Sequence, residues 1–355
     1  MPKTIAITPS WYWPARVPRV VGVPPFAVHE LLVERRARRD PDGLALIGDG
    51  GERITNAELA ARVRECSEHP AQVGGLLAEP PTVSGAVALL GALARGVPFA
   101  LPETEPVSGG ASPSSLSEPV LGLDARGTVA WHSQRSLVAG ALSFGAFLEL
   151  GADRPWLSTF PFASWEGILG LTVPLAVGAP VVLSAPGEPA LGAIAREGAG
   201  YAFTDLSSAS AATRDAKREV KSARGVLAGL VLSVPGVFDA DQRRRVGRLF
   251  ECPALTVFGL PETGPIFCAH PSWYIDEAVG IPVTNAHVVP VDPRSGVPVA
   301  TLWELVESAM VTVWSSQLCV GYDGGAHSER FRDGRFVTGV IASSDANGMI
   351  YLLPD

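Results

Sequence analysis

Short apolar runs alternate with amphipathic stretches along most of this chain. Ala45–Ile47, Val97–Leu101, Trp156–Phe160, Pro180–Ser184, Ala202–Asp205 and Gly229–Ser233 are contiguous apolar segments bounded by turn formers, the pattern of strands buried on both faces. Between them, apolar residues recur at helical spacing over Phe26–Arg39, Thr82–Arg95, Gly167–Val177, Leu191–Glu197 and Ala209–Ser222. Thr55-Asn-Ala-Glu58 is a capping box that opens a helix through about Cys66. Ser133 caps a helix to about Leu150, and Asp239 caps Ala240–Phe250. Such alternation predicts an α/β protein with mostly parallel sheets and helices on their faces. After about Trp273 the pattern changes. Val288–Val291, Val299–Leu305, Met310–Val313, Arg335–Val337 and Met349–Leu352 read as short strands of a small antiparallel barrel or sheet. The expected organisation is an extended, proline- and aromatic-rich arm over 1–25, a sheet-and-helix body over 26–272, and a small β-rich part over 273–355. Residues 103–118, glycine- and serine-rich, read as a polar loop.

Length and charge narrow this picture. With 355 residues, 47% hydrophobic and 18% charged, the chain is long enough for a large core. A net charge of −8 argues against nucleic acid as a partner. The arginine clusters at 35–39 and 243–248 lie on predicted helices and read as solvated faces. Cys66, Cys252, Cys268 and Cys319 have no C-x-x-C spacing, which fits a reducing cytoplasm without disulfides or structural zinc. The N-terminus lacks the apolar core of a signal peptide. The longest apolar run, 167–183, is interrupted by Pro174 and Pro180, so no membrane span is expected.

The chemistry concentrates around Val257–Gly264, V-F-G-L-P-E-T-G. A buried strand ends at Gly259 and presents the Glu262 carboxylate just beyond, at the edge where open α/β sheets bind ligands. This stretch resembles the Y-G-x-T-E-x-G signature of adenylate-forming enzymes: acyl-CoA synthetases, peptide-synthetase adenylation domains and luciferases. Other pieces follow in the order that the resemblance implies. They are His29-Glu-Leu-Leu32, Thr55-Asn-Ala-Glu-Leu-Ala-Ala, Leu90-Gly-Ala-Leu-Ala-Arg-Gly-Val97, Val279-Gly-Ile-Pro282 with Asp292-Pro-Arg-Ser-Gly296, Gly321–Tyr322, Phe331-Arg-Asp-Gly334 and Thr338–Gly339. The implied fold is the large N-terminal domain of that family, with stacked sheets and a distorted small barrel. The implied chemistry is activation of a carboxylate by ATP and Mg²⁺, with the metal on the Glu262 position.

The departures from the family pattern fall on the nucleotide. The glycine- and hydroxyl-rich phosphate loop is represented by Leu121-Gly-Leu-Asp-Ala-Arg-Gly-Thr-Val-Ala-Trp-His-Ser, which has no lysine and places Asp124 where polyphosphate would lie. The phosphate-touching threonine is Pro261, the ribose aspartate is Val340, and the glycine pair beside adenine is represented by Ser233-Val-Pro-Gly236. The chain stops at Asp355, so the lid domain with the family's catalytic lysine is expected to be absent. A lost charge-assisted contact costs roughly 1.5–3 kcal/mol, so four or five cost about 6–15. A millimolar-to-micromolar ligand has only about 4–8 kcal/mol of binding energy. ATP and Mg²⁺ are therefore not expected as cofactors, and no metal is expected.

The acyl pocket implied by the resemblance would be walled by Ser164 and Trp165, from Pro161-Phe-Ala-Ser-Trp-Glu-Gly167, together with Ser233, Gly236, Phe258, Gly259 and Leu260. It reads equally as a surviving apolar cleft or as a filled vestige. Candidate acid/base groups are Glu262 and His132, the latter weighed against an ordinary surface-loop histidine. A Cys268–His270 dyad and Asp205 are weaker alternatives; a turn-forming role suits Asp205 better. Three functions stay open: an ATP-independent enzyme acting on an acyl, aryl or carrier-protein-bound substrate by condensation, cyclisation or acyl transfer; a non-catalytic partner that scaffolds or regulates a ligase or assembly-line protein; and a split ligase whose lid another chain supplies. A homodimer or a partner enzyme is the protein contact left open.

Overall fold

The computed structural model describes residues 12–68, 80–101, 115–215, 217–300, 303 and 305–354. Its largest sheet has nine strands, in the order Ile281–Pro282, Gly264–Cys268, Ala254–Leu260, Gly229–Ser233, Tyr201–Asp205, Trp156–Ser158, Val181–Leu183, Leu44–Gly48 and Arg53–Thr55. The six central strands pair in parallel, and the outer three are antiparallel additions. A four-stranded sheet runs Gly321–Tyr322, Val129–Ser133, Pro119–Asp124 and Phe99–Leu101. A five-stranded antiparallel sheet holds His287–Val291, Ala309–Trp314, Arg335–Ser344, Phe331–Arg332 and Ile350–Leu352. One continuous apolar core joins the large sheet to its helices and reaches the five-stranded sheet through Val288, Val311 and Val313.

Local chemistry sets the helix ends. The Thr55 hydroxyl accepts from Glu58 N–H at 3.2 Å and the Glu58 carboxylate from Thr55 N–H at 2.8 Å, closing the expected capping box. Ser133 forms a second capping box, with Ser136, ahead of Gln134–Phe147, while the side chains of Thr82, Ser164 and Asp239 accept from first-turn N–H groups of Val83–Arg95, Trp165–Val177 and Ala240–Phe250. Gly280, at φ 129°, has no room for a side chain: a Cβ there would lie 2.1 Å from the Cys268 carbonyl. That close approach lets Ile281–Pro282 pair along Gly264–Cys268.

Several expectations change. Phe26–Arg39 is not one regular helix: Glu30–Glu34 is a π-turn that passes into α-helix at Arg35–Arg39. Ala209–Ser222 divides into Leu206–Asp215 and Lys217–Ala223. The described part of Val299–Leu305 forms no strand; Val299 N–H only reaches Pro290 O. Most of the 103–118 loop lies outside the described residues, as do the first eleven residues of the arm. Residues 12–25 lie on the body, with Trp13 against Phe147, and with Thr284 and Asn285 hydrogen-bonded to the backbone at Pro18, Arg19 and Val21.

The arginine clusters are not simply solvated faces. Arg243 is fully buried and donates to the carbonyls of Ala254, Ile275, Asp276 and Ala278 at 2.7–3.1 Å. Arg36 donates to Asn56 and to the carbonyls of Leu44, Leu175 and Ala179. Helical spacing marks a residue's side of the helix but cannot show that helix-end, loop and strand-start carbonyls are waiting there for a guanidinium.

Candidate active site

The strand Ala254–Leu260 runs one residue beyond Gly259, turns through Pro261-Glu262-Thr263, and returns as Gly264–Cys268. The turn is fixed by Thr263, whose N–H and Oγ reach Leu260 O and whose Oγ also accepts from Leu260 N–H. It is fixed again by Glu262 O, which accepts from Cys319 N–H at 2.8 Å. Glu262 is thus held by its own backbone, and it is 3% exposed.

Its carboxylate is already paired. Tyr322 Oη donates to Glu262 Oε1 at 2.7 Å, and Arg330 Nη1 reaches both Glu262 Oε1, at 3.0 Å, and Tyr322 Oη, at 2.9 Å. The rest of the guanidinium is spent on Val337 O at 3.1 Å and Thr338 O at 2.6 Å, and it lies over the Phe336 ring, 4.6 Å from its centroid. Burial and the neighbouring Glu262 carboxylate push the Tyr322 phenol up, so it stays a donor. Ala125, Ala130, Cys319 and Phe336 close an apolar cluster around Tyr322. The cation facing the carboxylate is therefore an arginine of this chain.

The stretch matched to a phosphate loop is a hairpin turn. Asp124 pairs with Val129, Ala125 N–H donates to Thr128 O at 2.7 Å, and Arg126 and Gly127 both have positive φ, 59° and 84°. That is a two-residue type I′ turn. The Gly127 N–H, which a phosphate nest would need, is given to Asp124 Oδ1 at 3.1 Å.

His132 does not lie in a surface loop. It sits on Val129–Ser133, 4% exposed, with Nε2 2.7 Å from Pro261 O and Nδ1 3.3 Å from Ser136 Oγ. A carbonyl partner makes Nε2 the protonated nitrogen. Desolvation lowers the imidazole pKa below 6.5, against smaller opposing effects of the Pro261 carbonyl and Glu262. Because the folded pKa is lowered, the unfolded chain binds the proton more readily below pH 6.5. Stability should fall as pH drops through that window. Urea titrations between pH 7 and pH 5 should show a shallower fall for His132→Gln than for the wild type; parallel curves would contradict the assignment.

A cavity of about 30 Å³ lies between His132, Trp165, Pro261, Thr263 and Gln317. That is room for about two water molecules, not for an acyl chain. Of the expected pocket residues, Trp165 lines this cavity, Ser164 caps its helix, and Leu260 packs against the apolar cluster around Tyr322. Phe258 is a core side chain, 2% exposed, and a Cβ on Gly259 would meet Gly264 O at 2.3 Å. Gly236 lies in the partly exposed loop beyond Ser233. Ser233 Oγ donates instead to Glu166 Oε1 at 2.9 Å, and desolvation raises the Glu166 pKa.

Glu166, Gln317 and Arg330 carry no sequence signal for the contacts they make here. Arg330 stands 68 residues from Glu262, in the short turn Ser328–Arg330. The weaker candidates separate. Cys268 Sγ faces Ala269 O and burial raises its thiol, while His270 turns to Glu149, 3.6 Å away. Asp205 caps Leu206–Asp215 through Ser207 and Ser208. Among the described residues, no group of three His, Cys, Asp or Glu side chains is placed to hold a metal ion, and no helix is long and apolar enough to cross a membrane.

Comparison with known proteins places this geometry. Residues 129–312, more than half of the chain, match the family model of AMP-binding enzymes, and the match opens directly after the Arg126–Gly127 turn. The chain belongs to the AMP-binding enzyme family. No curated protein sequence matches it. Among solved structures, MatB from Rhodopseudomonas palustris, crystallised with ATP, is 16% identical, with 92% of this chain and 78% of MatB covered at a TM-score of 0.76. VinN is 17% identical over 93% of this chain and 99% of its own, at 0.77. The N-terminal domain of FACL13 from Mycobacterium tuberculosis is 13% identical over 93% and 100%, at 0.74. At these identities the likeness concerns the fold. This AMP-binding family member has the acyl-CoA-synthetase-like large-domain architecture, with its Glu262 turn at the C-terminal edge of the parallel strands.

Proposed function

We propose that this AMP-binding family member does not bind ATP or form acyl-adenylates, and that it serves as a non-catalytic partner of a ligase or carrier-protein-dependent assembly enzyme. The observation that carries the reading is the Arg330–Glu262–Tyr322 triangle. Mg²⁺ on Glu262, 3% exposed, would have to displace a guanidinium that is also bonded to Tyr322 and to the carbonyls of Val337 and Thr338. The residues present do not fit the nucleotide: the Ala125–Thr128 turn offers no nest, Pro261 no donor, and Val340 no ribose acceptor. MatB, a neighbour in fold, has been crystallised with ATP.

A second reading, an ATP-independent enzyme acting on acyl or aryl substrates, has one observation in its favour. Glu166, with its raised pKa, holds the Ser233 hydroxyl at the ligand-binding edge of the large sheet. Turnover assays with ATP, Mg²⁺ and a panel of carboxylic acids should release no pyrophosphate. The same acids and their thioesters should leave the melting temperature unchanged. Pyrophosphate release would remove the central reading, and a melting-temperature rise abolished by Glu166→Gln would replace it with the second.

A further inference from the structure

At the opposite edge of the large sheet lies a groove of about 960 Å³ that the family chemistry does not use. One wall is the Arg35–Arg39 helix, and the other is the C-terminal end of Trp165–Val177. That second helix, 13 residues long, carries the groove about 20 Å from Ser164 at its start. We propose that this groove docks an acidic amphipathic helix of a partner protein. The proposal does not rest on the loss of nucleotide chemistry.

The floor is apolar: Leu31, Leu175, Ala176 and Val177. The rim is basic. Arg36 is not available, since its guanidinium ties the two walls together through Leu175 O, Ala179 O and Asn56. Arg35, Arg38 and Arg39 are exposed. Arg35 rests on the Phe26 ring, and Arg38 has only a 3.7 Å contact to exposed Glu34. No hydrogen bond or ion pair engages Arg39 among the described residues. Among the described residues, Asp40 is the single carboxylate lining the groove. The π-turn at Glu30–Glu34 buries Leu32 and Val33 just before these arginines emerge, and such turns recur at functional positions.

The local excess of positive charge stands against a chain of net charge −8, so it selects for an acidic occupant rather than reflecting general basicity. The volume suits a helix: at about 10 Å in diameter, roughly two turns fill it. Arginines along one exposed rim above an apolar floor suit lateral helix docking. A small anion would call for buried donors converging on a point, and a bilayer would call for a convex or flat surface.

The test uses the full chain and a fluorescein-labelled helical peptide with leucines at i, i+3, i+4 and i+7 and glutamates elsewhere. Anisotropy should report saturable binding, weakened about tenfold by Arg35→Glu/Arg38→Glu/Arg39→Glu and several-fold by 0.5 M salt. The milder Arg→Gln triple variant should give an intermediate loss with an unchanged melting temperature. Binding unaffected by the triple variants, or equal binding of polyglutamate without leucines, would overturn the proposal. So would the absence of peptide binding, or sedimentation with phosphatidylglycerol vesicles in preference to the peptide.

Discussion

Arg330→Met should destabilise the protein by about 3–5 kcal/mol, the cost of leaving a buried carboxylate without its counter-charge. Glu262 is 3% exposed and, among the described residues, would retain the Tyr322 hydroxyl as its one side-chain partner. The change also frees the carbonyls of Val337 and Thr338, which accept from the same guanidinium. Glu262→Gln/Arg330→Met should recover much of the loss, because the double variant buries no charge and the amide still accepts from Tyr322. Urea unfolding of the four proteins in this cycle measures the coupling. A ligase that uses Glu262 for a metal would behave differently: Glu262→Gln would silence turnover and leave stability nearly untouched.

Arg243→Met should cost at least about 3 kcal/mol, because buried carbonyls lose their donors. Desolvation lowers the Arg243 pKa to about 10, so it is still a cation at neutral pH, and the Tyr274 ring lies 5.1 Å from its guanidinium carbon. Its bonds fasten the Ile275–Ala278 loop that leads into Gly280 and the edge strand Ile281–Pro282. Arg243→Lys keeps the charge but offers one compact donor group where Ala254, Ile275, Asp276 and Ala278 need a fork, so it should recover less than half. Urea unfolding monitored by tryptophan fluorescence reads both variants; a loss under 1 kcal/mol for Arg243→Met would contradict the burial argument.

What was legible in the chain divides along physical lines. Gly229–Ser233 and Ala240–Phe250 with its Asp239 cap stand as read, because apolar runs and caps are local signals. The antiparallel return Gly264–Cys268 is not legible, because Pro265 and Gly264 are poor strand signals and the pairing comes from the hairpin with Ala254–Leu260 and from the edge strand Ile281–Pro282. At the site, Glu262 and His132 were found as residues, but their partners were not. Arg330, Tyr322 and the Pro261 carbonyl come together only when the four-stranded and five-stranded sheets close over the turn. The lysine-free composition of Leu121–Ser133 is legible in the sequence; the type I′ turn within it shows only in the backbone at Arg126 and Gly127.

If Arg330 occupies the place of a nucleotide-bound metal, the protein has no Mg–ATP site. Titration calorimetry of Mg–ATP into the protein measures this directly. The expected result is no saturable heat up to about 1 mM nucleotide, in the wild type as in Glu262→Gln. Saturable binding in the micromolar range that Glu262→Gln abolishes would contradict it.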